Sequence, residues 1–379
     1  MTLLDHRPIG PPSSDVEVLF EEAKRRRRRR RLRWLGVCIV LGGIVLGLLA
    51  VNRSNPKLPP GHQRDPLPSA SRRNGLPAGP IAALRRAGPL AVSPSGELYV
   101  VDDSSHEVLV RQAGGAFRVV AGDGTSGFSG DGGPAIRAEL SNVSDMAFAP
   151  NGDLYLADAG RVRMIDRQGA IETVAGDGAS GGPVASGTAA RSAPLGTDVS
   201  IALSPSGALY VATLTQLFQL TPAGVLHALP VVVTSGPRLG VFGDFRQIAV
   251  DAHGNVYASS LFSGWSVFRI SPAGAATYLG YDRRSGGSAA VVESGPRDVI
   301  EADNGSDILR VRGNGLVVSD SLSKVPGADG FVFTNYFAIG QNGILYADNL
   351  GPPVFERTQQ IIAVSHGHAV SLWRGRTRK

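Results

Sequence analysis

Few residues in this 379-residue chain could do chemistry by type and spacing. His366 and His368 stand two apart, a spacing that on a strand would put both rings on one face as metal ligands. Two ligands do not complete a metal site, and the other histidines (His6, His62, His106, His227 and His253) are scattered, so satisfied surface histidines are expected and no metal. The stretch GDGTSGFSGDGG, Gly122–Gly133, has the Gly and Asp content of a Ca²⁺ or phosphate loop. It matches neither G-x-x-x-x-G-K-[ST] nor the Ca²⁺ loop that ends in Glu, and it reads as a long connection whose glycines supply turns of positive φ. There is no G-x-S-x-G elbow, and the only cysteine, Cys38, lies in an apolar run. Asp102, Asp158 and Asp348 sit just after the Tyr-bearing run in equivalent positions, where Asp accepts backbone N–H bonds in a turn. What remains are loop aromatics, Phe128, Phe242, Phe262 and Trp265, which are candidates for a contact surface rather than for catalysis. No cofactor is implied.

The elements that carry these residues repeat. LAVSPSGELYVVD (Leu90–Asp102), MAFAPNGDLYLAD (Met146–Asp158), IALSPSGALYVAT (Ile201–Thr213), IAVDAHGNVYASS (Ile248–Ser260) and FAIGQNGILYADN (Phe337–Asn349) are one hairpin phrase written five times. Each is an apolar run, a Gly-bearing turn and an apolar run holding a Tyr. The last gap between these tyrosines is about twice the ~45-residue length of a four-stranded blade, so a worn copy is expected at Asp298–Gly315. Two more alternating runs follow the first units, as in EVLVRQ (Glu107–Gln112) and FRVVAGDG (Phe117–Gly124). Four strands per unit and six units predict a six-bladed β-propeller; a β-solenoid and a β-sandwich are the runner-up folds. The tyrosines and alternating Leu and Val are expected in the core. The inner strands, read as LAVSP, MAFAP, IALSP, IAVDA and FAIGQ, bring no histidine or convergent ionisable group to the channel.

The second unit, VSDMAFAPNGDLYLADAGRVRMIDRQG, resembles an NHL repeat. Val119–Leu140 resembles the spacer of bacterial NHL-repeat proteins, and Thr173–Leu195 is a shortened echo of it. The resemblance covers about residues 88–373 and implies an all-β NHL-type propeller. The Asn-His pair that helps name the family is replaced by Ser105-His106 in unit one and Gly160-Arg161 in unit two.

Upstream, residues 34–51 carry no charge and are long enough to span the bilayer core as a helix. Lys24–Arg33 put nine positive charges just before them, which retains the N-terminus inside and predicts a signal anchor. The expected organisation is a disordered, basic cytoplasmic tail (1–33), a transmembrane helix (34–51), a Pro-rich linker (52–80), the propeller (81–373) and a basic tail (374–379). Residues 1–60 hold 12 Lys+Arg against 5 Asp+Glu, so the net charge of +6 sits beside the membrane and the propeller side is near neutral. That argues against nucleic acid. Arg outnumbers Lys 34 to 4, a bias of GC-rich bacterial genomes, which would make the exported side a cell envelope. The expectation is a membrane-tethered, monomeric extracytoplasmic propeller that binds a protein, peptide or glycan and is not an enzyme. A propeller-type lyase or lactonase with an unrecognised site is the alternative.

Overall fold

The structure is a computed structural model that describes residues 76–77, 79–235, 245–260, 266–281, 290–295, 298–302, 307–312, 315–321, 336–340, 343–350, 358–365 and 368–376. The expected tail, transmembrane helix and most of the linker lie outside these residues. Among the described residues no helix is long and apolar enough to cross a membrane. Apart from the 3₁₀ turns Ala135–Arg137 and Ala190–Ser192, the described elements are strands.

Alternation with period 2 does what the sequence asks of it. The first sheet runs Ala87–Val92, Leu98–Asp102, Glu107–Arg111 and Phe117–Ala121 as an antiparallel meander, with Ile81–Ala82 added outside the fourth strand. The second runs Val143–Phe148, Leu154–Asp158, Arg161–Ile165 and Ile171–Ala175. The third holds Ser200–Leu203 to Val225–Leu229, with Thr188–Ala189 outside, and the fourth holds Phe245–Val250 to Ala275–Tyr281, with Val232–Ser235 outside and parallel. Two more meanders span Ala290–Gly295 to Gly315–Ser321 and Phe337–Ile339 to His368–Arg376. The described strands thus fall into six sheets, and each first strand neighbours the first strand of the next sheet, ending with Phe337–Ile339 beside Ala87–Val92. This is an all-β propeller.

The core lies between sheets, because alternate residues of a strand face opposite neighbours. Tyr99, Val101, Val108 and Val110 of the first sheet pack with Met146, Phe148, Leu154 and Leu156 of the second. Their in-between partners Leu90, Val100 and Leu109 pack with Ile344, Tyr346, Ile361 and Ala363 of the last sheet. Among the described residues no strand is shared across that last junction. Instead Gln359 Oε1 accepts the Ala87 N–H at 2.9 Å, and Gln359 Nε2 donates to the Ala87 carbonyl at 2.6 Å.

The structure corrects several sequence expectations. Asp298–Ala302 is the second strand of the fifth sheet, not the first, so the worn copy is displaced by one strand. Leu76, assigned to the linker, is buried in the core and gives its N–H to the Tyr99 hydroxyl at 3.2 Å. The last strand runs through Arg376, so residues 374–376 are strand rather than tail. Tyr99, Tyr210, Tyr257 and Tyr346 are buried as expected, but Tyr155 is only half-buried.

Tyr99 stacks edge-on with Phe148 at 4.8 Å and is fully buried. Tyr99→Ala should therefore cost about 3–5 kcal/mol. Tyr155→Ala should cost about 1 kcal/mol, with urea unfolding as the measurement. Gln359→Ala leaves both Ala87 backbone groups unpaired and should cost about 1–3 kcal/mol in the same assay.

Candidate functional site

In a four-stranded meander the connections from second to third strand emerge at the same end as those between sheets. That end carries the Gly-rich spacers and the Asp-bearing turns. Asp102 Oδ2 accepts the Arg85 N–H at 2.7 Å, and its Oδ1 accepts those of Arg86 and Ser104 at 3.1 and 3.0 Å. Asp158 Oδ1 accepts the N–H groups of Ser141 and Asn142 at 2.9 and 3.1 Å. Each carboxylate thus caps the segment entering its own first strand, the turn role expected. Asp348 is not their equivalent. It stands two residues after its Tyr rather than three, and so faces the opposite side of its strand, toward the first sheet. It accepts the Tyr336 N–H at 2.8 Å and lies 3.2 Å from Gln359 Nε2.

The first spacer folds around two arginines of the second sheet. The Arg163 side chain is fully buried and donates to the carbonyls of Glu139 and Ser129 at 2.9 and 2.7 Å and to Asp131 Oδ1 at 2.7 Å. It also pairs with Asp158 at 3.5 Å. Asp131 accepts the Thr173 N–H as well, and hydrogen bonds from Thr173 and Arg163 hold its carboxyl below the ordinary value despite its partial burial. Arg161 lies with its guanidinium carbon 3.8 Å over the Phe128 ring and donates to the Asp177 carbonyl at 2.6 Å. A Cβ on Gly178 would run into that guanidinium. Phe128 on the first spacer and Gly178 on the second are thus bolted together through Arg161. Gly122, Gly124, Gly130 and Gly132 all take positive φ, in keeping with a long inter-blade connection.

Phe128 is the one predicted contact aromatic among the described residues; it is 45% exposed and already rests on Arg161. Phe242, Phe262 and Trp265 lie outside the described residues, as does His366. His368 sits on the last strand. His106 has φ 53° and gives its Nδ1 proton to the Ser141 carbonyl at 2.7 Å. Among the described residues no three His, Cys, Asp or Glu gather as a metal site.

Sequence reasoning missed an ionisable group at the ring's centre. The first strand of the second sheet begins at Val143, three residues before the MAFAP run, and carries Asp145. Its Oδ2 accepts the Ser200 hydroxyl at 2.7 Å and the Ile201 N–H at 2.9 Å, both from the third sheet. Ser200 in turn accepts the Ile248 N–H of the fourth sheet at 3.1 Å, and Ser144 donates to the Val199 carbonyl at 2.9 Å. Burial, the largest influence, pushes the Asp145 carboxyl up to about 6 against three neutral donors that lower it. Taken as a whole residue, Asp145 is half-buried. Tyr336, at the matching position of the last sheet, is pushed up to about 12 by burial, with Asp103, Asp348 and Asp145 adding to the rise. Arg86 stands 3.6 Å from Asp103, whose own carboxyl burial raises. Continuing the alternation upstream through VSD would have found Asp145.

Residues 90–188 match the family described as the Teneurin NHL domain. The propeller is of the NHL type. The matched span takes in most of the first sheet of the NHL propeller, all of the second, the first spacer and most of the second spacer. Among solved structures, the chain is similar to virginiamycin B lyase from Staphylococcus aureus at 12% identity, with 76% of this chain and 85% of that one covered and a TM-score of 0.47. It is similar to a putative gluconolactonase at 14% identity, covering 72% and 90%, with a TM-score of 0.45. It is also similar to the PQQ-bound aldose sugar dehydrogenase from Streptomyces coelicolor at 17%, covering 73% and 93%, with a TM-score of 0.46.

Removing the buried guanidinium of the NHL propeller's second sheet should free its first spacer. Arg163→Ala leaves Asp158 without its cation and two carbonyls unpaired, and should cost about 3–5 kcal/mol and expose residues 122–140 to limited proteolysis. Arg161→Ala should cost only about 1 kcal/mol, because a partly solvated cation–π contact is modest.

Proposed function

We propose that the chain is a membrane-tethered, six-bladed NHL propeller that binds a protein, peptide or glycan through the spacer-bearing face, without catalysis. The blade count is supported by the six sheets and by the return of the last first strand to the first sheet. The tether reading rests on the uncharged run 34–51 and the Arg cluster before it. One observation carries the binding role: the buried ionisable groups at this face already have fold partners. Asp102 and Asp158 cap backbone, Asp145 joins two sheets, and Arg163 holds a spacer. The groups left to meet a ligand are those on the variable loops, Phe128 among them.

A lyase or lactonase is the second reading, favoured by the Asp145 carboxyl at about 6, near the value a general acid or base requires.

Recovery of envelope partners by the full chain should fall when Phe128, Phe242, Phe262 and Trp265 are replaced together by Ala, by ~1–2 kcal/mol or more at a hot spot. Equal recovery by wild type and variant would move the interface off these loops. Turnover of a lactone that is abolished by Asp145→Asn in a folded protein would replace the binding role by the enzyme.

A further inference from the structure

We propose that Asp145 is a proton-operated rivet between the second and third sheets, firmer when its carboxyl is protonated and looser when it is ionised. The first strand of each sheet is an edge, and its outward N–H groups need acceptors. Asp145 supplies one to Ile201, and Ser200 passes the same service on to Ile248, so three sheets are joined in series through one carboxyl. Ser200 donates to Asp145 and accepts from Ile248, which fixes the direction of its hydroxyl proton. Protonation at Oδ1, at the expense of the local Met146 N–H bond it accepts at 2.8 Å, leaves Oδ2 in place for Ser200 and Ile201, so the bonds between sheets survive while the buried charge is removed.

Among the described residues no cation contributes to the Asp145 shift. The donors that lower Asp145 are the Ile201 N–H, the Ser200 hydroxyl and the Met146 N–H, all neutral. From the last sheet Tyr336 faces the same field, and with its value near 12 it stays neutral throughout the window. From the first sheet Asp103 and Arg86 pair with each other, and both influence Tyr336 rather than Asp145.

The sign follows from linkage. A carboxyl held above its unfolded value favours the fold while protonated. Its contribution is fully present below about 4 and is lost as pH rises through about 6. Asp131 and Asp251, held below the ordinary value, act in the opposite sense and only at lower pH. The rivet works whatever the loops bind.

Hydrogen exchange on the full chain tests it. After correction for intrinsic rates, protection of the Ile201 and Ile248 amides should be roughly tenfold or more greater at about pH 5 than at about pH 7.5. Asp145→Asn keeps an acceptor without a charge and should flatten both profiles at the protected level. Ser200→Ala should abolish the protection of Ile248 while leaving the pH response of Ile201. Protection that is independent of pH in wild type, or an unchanged profile in Asp145→Asn, overturns the proposal. Should that variant fail to fold, titration of the ¹³C-labelled Asp145 carboxyl in wild type decides: a midpoint near 6 supports the rivet, and one below about 4 rejects it.

Discussion

Every sheet in this molecule has an inner edge, and everything else depends on how that edge is satisfied. A strand at the end of a sheet leaves half its N–H and C=O groups without a ladder partner. The solution is lateral. Asp145 serves Ile201, Ser200 serves Ile248, Ser144 serves the Val199 carbonyl, and Gln359 serves both groups of Ala87. Side chains of one sheet complete the backbone of the next, so adjacent sheets are held in register at the axis while apolar faces hold them further out.

That arrangement explains why the sequence yields the architecture so readily and the centre so poorly. The hairpin phrase is dictated by local rules: alternating apolar runs, a Gly turn at positive φ and a Tyr that reaches the next sheet, as Tyr99 reaches Phe148. Those rules recur in every copy and are visible without coordinates. The rivets obey no such rule. Their positions carry Asp145 in one sheet and Ser200 in the next, and the only requirement is an acceptor of suitable reach. A pattern of function without a pattern of residue type leaves no periodic trace. The same reason hid the displacement of Asp348, whose one-residue shift changes its face without changing the look of the phrase.

The spacers show a second division of labour. Glycines give the first connection its path, but its placement depends on a guanidinium buried beneath it. A buried arginine is tolerated because two carboxylates and two carbonyls surround it. Its neighbour Arg161 extends the arrangement outward by lying over Phe128 of the first spacer and donating to the Asp177 carbonyl of the second. The first spacer, and the second where it meets Arg161, are therefore held by the second sheet, which lowers the entropy a partner must remove on contact.

Closing the ring without a shared strand has a consequence for how the chain is made. Each sheet is contiguous in sequence, so it can form as soon as its own residues are available, yet the bonds at the last junction join residues 272 positions apart. Until Ile344, Tyr346, Ile361 and Ala363 exist, one whole face of the first sheet, with Leu90, Val92, Leu98, Val100 and Leu109, has nothing to cover it. During synthesis from the N-terminus the growing molecule is an open arc with a greasy leading face, and that face waits longest of all. An arc of this kind is prone to meet another arc before it meets its own end. The seam that makes the finished ring simple is thus the place where an unfinished one is most exposed.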